Sequence, residues 1–310
     1  MAENVEITFL GTGSAVPTAR RNHTGILLKY KAENILFDCG EGIQRQFRFV
    51  RMSPCKITRI FISHWHGDHI LGLAGLFQTL TMNDYSGKLE IYGPIGSKKK
   101  VQELIEVFMK QRLKESLNGD NHFEINVHDV DEGVILDFDE YKIEATRTFH
   151  RIISLAYSFI VKEKNRIDKD KLKKFGIGNS PLISELVKGK TITFNGKKID
   201  GKKIIYKEPA KKISIILDTK RDDSLAKFAK DSNILICEST YSLKEQDKAD
   251  LRFHLSTSDA AKIAKDSDSN LLVLTHLSQR YSEIPKVLEE EAKKIFKNSK
   301  VVEDFDQIII

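Results

Sequence analysis

The chain has 310 residues, 40% apolar and 30% charged, which is enough to bury a sizeable core in one large domain or two small ones. No apolar run approaches the roughly 18 residues of a membrane span, the start MAENVEITFLGTGS is not a signal peptide, and three scattered cysteines without a CxxC pair favour a reducing cytoplasm over a disulfide framework. The net charge of +6 is modest.

The N-terminal half predicts short apolar strands separated by Gly-rich turns, followed by two helices. The strands are VEITFLGTGS, TGILLKY, NILFDCGEG and ITRIFISHWHGDH. The helices are HILGLAGLFQTLTM and SKKKVQELIEVFMKQRLKESL, the second with apolar residues at helical spacing after a Ser start. Two further strand-like stretches follow, GVILDFDEYKIEATRTFH and SLAYSFIV.

A basic segment comes next. Residues 161–212 hold 16 Lys and Arg against 6 Asp and Glu, so the rest of the chain is slightly acidic. A Lys-rich run is usually a solvated face, but charge this localised is also compatible with a polyanionic partner. Beyond it, strands alternate with amphipathic helices in the order KISIILD, DSLAKFAKD, NILICES, TSDAAKIAKD, NLLVLTHL and EIPKVLEEEAKKIF. This alternation predicts strands buried on both faces in an α/β fold.

Five predicted strands are apolar along their length and end at a residue whose side chain can bind a metal or transfer a proton. These residues are His64, His150, Asp218, Glu238 and His276. In layered α/β folds the loops at one end of the strands form the site. The sequence therefore predicts that the five residues converge.

The motif SHWHGDH, residues 63–69, places three histidines and an aspartate in seven positions. Imidazole and carboxylate suit zinc and similar divalent ions. His64 and His66 are spaced to meet one ion, while Asp68 and His69 lie on the turn into a helix and more naturally serve a second. The alternative without a metal is a hydrogen-bonded surface turn, because short motifs often occur by chance.

Three strand-end residues strengthen the metal interpretation. His150 and His276 complete one ligand set each, and Asp218 can bridge them, which gives seven ligands for two ions with positions left for water. The remaining histidines are expected to be ordinary side chains in polar loops or edge stretches: His23, His122 and His128.

Together these residues resemble the metallo-β-lactamase superfamily and, more closely, the ribonuclease Z family. The opening FLGTGSAVPTARRN, the block LFDCGEGIQRQ, CESTY, HLSTSDAAKIA and THLSQRY all resemble blocks of that family. The stretch DKLKKFGIGNSPLISELVKGKTITFNGKKI resembles its tRNA-gripping arm. The resemblance covers nearly the whole chain, and it departs from the family pattern at Ala19, Leu217 and Cys237.

The resemblance implies one domain over residues 1–310, an α/β metallo-β-lactamase αββα sandwich with an extruded basic arm at about residues 162–207. It implies two Zn²⁺ per chain, with Mn²⁺ possible, and a cytoplasmic homodimer that removes the 3′ trailer from precursor tRNA. Asp68 would orient or deprotonate the water. His254 would be the general acid, oriented by Glu238, while Ser154 and Tyr157 would support the metal site.

The substrate-binding residues expected from the resemblance lie in two places. Two arginines of the N-terminal loop and five lysines of the arm would meet the RNA: Arg20, Arg21, Lys171, Lys173, Lys174, Lys188 and Lys190. Their contacts would be to phosphates, which position a nucleic acid without reading its sequence.

Two other function classes share parts of this pattern. A metallo-β-lactamase-fold thioesterase or small-molecule phosphodiesterase would keep the metal ligands, but it has no use for the basic segment. A non-catalytic RNA-binding relative would be expected to have lost at least one ligand candidate, and all seven are present together with His254 and Glu238. Cleavage of a 3′-extended tRNA transcript separates the three.

Overall fold

The computed structural model describes residues 3–109, 123–178 and 180–310. Its strands, in chain order, are β1 Val5–Gly11, β2 Gly25–Tyr30, β3 Glu33–Phe37, β4 Arg59–Phe61, β5 Lys88–Pro94, β6 Glu124–Val130, β7 Gly133–Asp137, β8 Tyr141–Thr148, β9 Ser154–Val161, β10 Lys164–Ile167, β11 Thr191–Phe194, β12 Lys197–Asp200, β13 Ile205–Glu208, β14 Lys211–Ile216, β15 Ile234–Glu238, β16 Leu272–Thr275, β17 Ser299–Val301 and β18 Gln307–Ile309.

The α-helices are α1 Ile43–Phe49, α2 Gly67–Ile70, α3 Gly72–Met82, α4 Ser97–Phe108, α5 Lys169–Lys174, α6 Leu182–Val187, α7 Asp223–Phe228, α8 Gln246–Arg252, α9 Thr257–Asp266 and α10 Lys286–Lys293. Short 3₁₀ turns lie at Pro54–Lys56, Gly201–Lys203, Leu243–Glu245 and Gln279–Tyr281. None of the helices in the described residues is both long enough and apolar enough for a bilayer span.

Two seven-stranded sheets form the frame. The first has the order β18-β1-β2-β3-β4-β5-β6, antiparallel up to β3 and parallel from β3 to β6. The second has the order β17-β16-β15-β14-β9-β8-β7, with β14 to β17 parallel. Strands β15 and β16 are buried along their whole length, which explains why their sequences are continuously apolar.

The sheets face each other and carry helices on their outer sides. Between them, Tyr157 meets Phe37 and Phe61 at ring-centroid distances of 6.0 and 5.2 Å. On the outer faces, α1 and α3 pack on the first sheet, and α9 and α10 on the second. These layers confirm the predicted αββα sandwich.

The basic segment forms a compact unit of its own, made of residues 137–142 and 160–211. It is built from the antiparallel pair β10–β13, the hairpin β11–β12 and the helices α5 and α6. Its small core consists of Leu172, Ile177, Leu186, Ile192, Ile199 and Ile204. The sequence predicted no strands here, because four-residue strands rich in lysine lack the apolar runs that mark the larger sheets.

One predicted helix extends past the described part of the chain. The stretch 97–117 begins as expected, with Gly96 at φ 97° before Ser97, and α4 is described as far as Phe108. A left-handed φ of this kind favours glycine. Residues 110–122, including His122, lie outside the described residues.

Candidate metal centre

Four of the five strand-end residues belong to strands of the second sheet. His150 follows β8, Asp218 follows β14, Glu238 ends β15 and His276 follows β16. His64 follows β4 of the first sheet. Asp218 and His276 have φ values of 26° and 55°, in the left-handed region that side chains rarely adopt. Strain of this kind is retained where the surrounding structure imposes it, often at functional sites.

The first ligand group consists of His64, His66, His150 and Asp218, whose donor atoms lie within 4.8 Å of one another. Nδ1 of His66 lies 3.0 Å from Nε2 of His64 and 3.1 Å from Nε2 of His150. Asp218 Oδ2 lies 3.5 Å from His64 Nε2. Three ring nitrogens and a carboxylate oxygen therefore converge on one position, where a single ion could bind.

The second ligand group consists of Asp68, His69 and His276. His276 Nε2 lies 3.3 Å from Asp68 Oδ2 and 3.1 Å from Asp218 Oδ1. His69 Nε2 lies 3.4 Å from each of the same two carboxylate oxygens. Asp218 thus turns one oxygen to each group, the arrangement of a bridging ligand.

The residues present fit two divalent cations. His69 Nε2 and Asp218 Oδ1 are buried and have no hydrogen-bond partner, although buried polar atoms are normally satisfied. Burial lowers the pKa of His64, His66 and His150, so these rings are neutral, as metal ligands must be. Imidazole nitrogens with carboxylate oxygens form the donor set of hydrolytic zinc sites.

The pKa shifts in the second ligand group show that its carboxylates favour a positive charge beside them. Burial works against charging His69, but Asp218 and Asp38 raise its pKa well above the usual range. Burial likewise opposes ionisation of Asp68, yet the neighbouring His276 and His69 side chains hold its pKa below the ordinary value. Metal cations bound here would be stabilised by the same carboxylates, Asp68 and Asp218.

The ring nitrogens that face away from the cluster are held by neighbours. His64 Nδ1 lies 3.0 Å from Ser63 Oγ, His150 Nδ1 donates to the Phe253 carbonyl at 3.0 Å, and His276 Nδ1 lies 3.0 Å from Thr240 Oγ1. Such partners fix the tautomer and orientation of a metal-binding histidine. Phe253 adopts φ 60°, which directs its carbonyl to this task.

Asp38 is a supporting residue that the sequence reasoning missed. It is fully buried at the end of β3, where it contacts His69 Nδ1 at 2.6 Å and accepts hydrogen bonds from Ser63 N and Oγ at 2.7 Å each. A signal existed, because NILFD also ends an apolar strand at a carboxylate. Thr240 and Ser63 carried no such signal.

His254 and Glu238 form a pair beside the ligands. His254 Nδ1 lies 3.1 and 3.2 Å from the two oxygens of Glu238, which also accepts a hydrogen bond from Thr219 N at 2.7 Å. Burial works to lower the pKa of His254, but the charges of Glu238 and Asp218 outweigh it and raise the pKa to about 9. His254 also lies close enough to Asp218 and His276 to share an ion with them. Its Nδ1, however, is engaged by Glu238.

The N-terminal loop reaches the ligands through its backbone. Ala15, at φ 43°, donates its N–H to Asp68 Oδ2 at 2.8 Å, and its carbonyl lies 3.2 Å from His23 Nε2. Arg20 is exposed and pairs with Glu283 at 2.9 Å.

Arg21 departs from the sequence-based expectation. Only 2% of it is exposed, and its Nη1 donates to Thr12 Oγ1 and the Val302 carbonyl at 2.7 Å each. Burial of its guanidinium within the fold argues against the predicted role in substrate binding.

An open cavity of about 840 Å³ leads to the ligands. Its lining includes His66, Asp68, His150, Asp218 and His254. Four cationic side chains also line it: Arg151, Lys248, Arg252 and Arg280. A cleft of this charge suits an anionic substrate.

The predicted arm lysines lie in the second unit. All five are exposed at its surface: Lys171, Lys173, Lys174, Lys188 and Lys190. Lys188 and Lys190 share Glu185, and Lys171 lies 3.5 Å from Asp168.

Several residues noted in the sequence are packing positions. Leu217 and Cys237 are buried in the core, as is Ser154. Tyr157 donates to the Ile62 carbonyl at 2.8 Å and so supports the strand end that carries His64. His128 is an ordinary side chain, as expected, contacting Glu90 at 2.6 Å.

Comparison with known proteins agrees with this geometry. A family model described as Anti-Pycsar protein Apyc1 matches residues 5–177. Ribonuclease Z of Nanoarchaeum equitans is 38% identical over 89% of this chain and 84% of its own. Human tRNase Z, short form (ELAC1), is 26% identical with a TM-score of 0.68, covering 98% of each chain. The metallo-β-lactamase fold protein YhfI from Bacillus subtilis is 17% identical with the same TM-score of 0.68 over 100% of both chains.

Proposed function

The chain belongs to the ribonuclease Z family, and over residues 5–177 to the family described as Anti-Pycsar protein Apyc1. From this premise we propose that it is a metal-dependent endoribonuclease that removes the 3′ trailer from precursor tRNA. The observation that carries the proposal is that seven candidate metal ligands cluster beside the His254–Glu238 pair, at a cavity that is also lined by four cationic side chains.

The proposed cofactor is a pair of Zn²⁺ ions, with Mn²⁺ as an alternative. His64, His66 and His150 would hold one ion, Asp68, His69 and His276 the other, and Asp218 would bridge them. When bound, such ions supply Lewis acidity toward a phosphoryl oxygen and toward water.

The protein residues then have distinct tasks. Asp68, whose carboxylate is fixed by Ala15 N–H at 2.8 Å, orients the attacking water. As the water oxygen bonds to phosphorus, the water gives one proton to Asp68, and the bond between phosphorus and the ribose 3′-oxygen breaks. His254 gives its proton to that departing oxygen, so the tRNA keeps a 3′-hydroxyl and the trailer keeps the phosphate.

His254 is suited to the role of acid by its environment. In the metal-free protein its pKa is raised to about 9, so its ring is protonated at neutral pH. Glu238 accepts from Nδ1, which leaves the opposite nitrogen to donate to the substrate. General acid catalysis of this kind contributes typically about 10²–10⁴-fold.

We propose that RNA is gripped in two places. Arg151, Lys248, Arg252 and Arg280 meet phosphates close to the cut, with Arg20 on the N-terminal loop. The surface lysines of the second unit hold the body of the tRNA, as an arm at about residues 162–207. Phosphate contacts of this kind carry the salt-dependent part of binding.

The oligomeric state and location complete the proposal. A homodimer is proposed from the resemblance to the family. A cytoplasmic location is supported by three free cysteines, Cys39, Cys55 and Cys237.

The decisive experiment is incubation of purified protein with a 3′-extended tRNA transcript, with the cut mapped at nucleotide resolution in the presence of Zn²⁺, Mn²⁺ or chelator. We expect one cut at the 3′ side of the tRNA body that needs metal. An intact transcript together with hydrolysis of a thioester or a small phosphodiester would assign the centre to another substrate. Binding without cleavage would identify an RNA-binding module.

A further inference from the structure

Thr240 lies between the two functional parts of the centre. It is two residues beyond Glu238, at the end of β15, and only 4% of it is exposed. Its hydroxyl oxygen contacts Glu238 Oε2 at 2.6 Å, His276 Nδ1 at 3.0 Å and the His276 carbonyl at 3.1 Å. Thr240 thus touches the carboxylate that orients the acid and a ligand of the metal pair.

The direction of these hydrogen bonds follows from the single proton of a hydroxyl. Glu238 is an acceptor, and its oxygen is the nearest partner, so the Thr240 proton goes there. The Thr240 oxygen is then an acceptor toward His276, which must carry its own proton on Nδ1. This arrangement leaves the Nε2 lone pair of His276 directed at the cluster, where Asp68 and Asp218 lie 3.3 and 3.1 Å away.

The other contacts of Glu238 make the hydroxyl hard to replace. Glu238 accepts from Thr219 N at 2.7 Å and from His254 Nδ1, and it is fully buried. Removal of the Thr240 hydroxyl leaves one carboxylate oxygen without its shortest donor and one imidazole N–H without an acceptor. A buried polar group left unsatisfied in this way is costly.

We propose that Thr240 is a positioning residue that couples metal binding to acid catalysis: its hydroxyl fixes the metal-binding tautomer of His276 and, with the same proton, orients Glu238 toward His254. The acid half of this inference rests on the proposed function. The metal half does not, because it concerns His276 alone.

The test uses full-length Thr240→Val, which keeps the shape and removes the hydroxyl, and Thr240→Ser, which restores it. Thr275→Val is the matched control: Thr275 is buried beside His276, and its hydroxyl has no hydrogen-bond partner. Affinity for Zn²⁺ is measured by chelator competition. Turnover is then measured at saturating Zn²⁺ on a 3′-extended tRNA and on a chromogenic phosphodiester whose leaving group needs no proton.

We expect Thr240→Val to weaken binding of one of the two ions by about 10–100-fold, as for loss of other partners of ligating histidines. At saturating metal it should lose more turnover on tRNA than on the chromogenic ester. Thr240→Ser should recover both properties, and Thr275→Val should resemble the unmodified protein. His254→Ala should lose tRNA turnover while keeping metal affinity.

Other outcomes overturn the proposal. Unchanged metal affinity in Thr240→Val removes the tautomer role, and equal losses on the two substrates remove the acid role. Failure of Thr240→Ser to recover either property reduces Thr240 to a packing residue. If Thr240→Val does not fold, ¹⁵N NMR of His276 in the unmodified protein decides: a proton on Nε2 rather than Nδ1 contradicts the inference. If Thr240→Val loses metal affinity but the unmodified protein does not cleave tRNA, the proposed function is contradicted and the metal half of this inference stands.

Discussion

The candidate metal centre and the basic unit are built in opposite ways. At the centre, buried side chains follow strand ends, and each outward ring nitrogen of His64, His150 and His276 has a partner within about 3 Å. In the unit of residues 137–142 and 160–211, lysines lie at the surface around a core of six apolar residues. Hydrolysis needs atoms fixed within fractions of an ångström, whereas attraction of phosphates needs only charge of the right sign. The two regions should therefore respond differently to substitution.

The largest effect is expected from His66→Ala. His66 Nδ1 lies 3.0–3.1 Å from two other ligand nitrogens, so its loss opens the first ligand group. The variant should lose bound metal and nearly all turnover on both tRNA and a chromogenic phosphodiester, measured by elemental analysis and initial rates. His128→Ala, a surface histidine, is the control. Full activity in excess chelator would contradict a metal-dependent centre.

His254→Ala should be the next most severe change. It keeps both ligand groups but removes the proton donor, so turnover on tRNA should fall by about 10²–10⁴-fold with metal content unchanged. Glu238→Ala should cost less, since Glu238 acts through His254. A double mutant whose loss equals the product of the two single losses would show that the residues act independently.

Removal of the basic unit's lysines tests whether this unit contributes to tRNA binding rather than to catalysis. Ile167 and Ile205 are directly paired between β10 and β13, so residues 168–204 can be replaced by an Asn-Gly turn. Turnover of the chromogenic ester should be unchanged. Binding of precursor tRNA should weaken, with a salt slope shallower by about 0.7–0.9 for each phosphate that the shortened protein no longer neutralises.

A milder version of this variant keeps the unit folded. Lys173→Gln and Lys174→Gln together should shift tRNA affinity in the same direction by less. Unchanged tRNA affinity with loss of ester hydrolysis in the deletion would place the unit within the catalytic body instead.

The smallest effect concerns the titration of His254 in the metal-free protein. NMR should give a pKa of about 9, and Glu238→Gln should lower it, because that carboxylate is a main cause of the rise. Since the folded pKa exceeds the unfolded value of ~6.5, the stability contributed by His254 is present below pH ~6.5 and lost as pH rises through about 9. A pKa near 6.5 in the folded protein would remove the electrostatic basis of the pair.

Periodic signals in the sequence predicted strands buried on both faces and the positions of the candidate ligands, whereas the αββα layering was expected from the resemblance to the family. Continuous apolar strands mark β15 and β16, and each ends at or just before a polar residue. Asp38 leaves the same signal. Thr240 and the carbonyl of Phe253 do not, since their roles depend on positions across the fold and on a left-handed φ at Phe253. Arg20 and Arg21 look alike in sequence, and only packing separates the exposed one from the buried one.

The two ligand groups share a property that concerns the order of events in folding. Each group combines residues that follow the first sheet with residues that follow the second: His64 and His66 with His150, and His69 with His276. Closing loops of this length costs conformational entropy, so neither site is complete until both sheets have docked. A chain in which only one sheet has formed therefore has neither ligand group complete. Binding of ions by either complete group is therefore expected to report that the two sheets have docked.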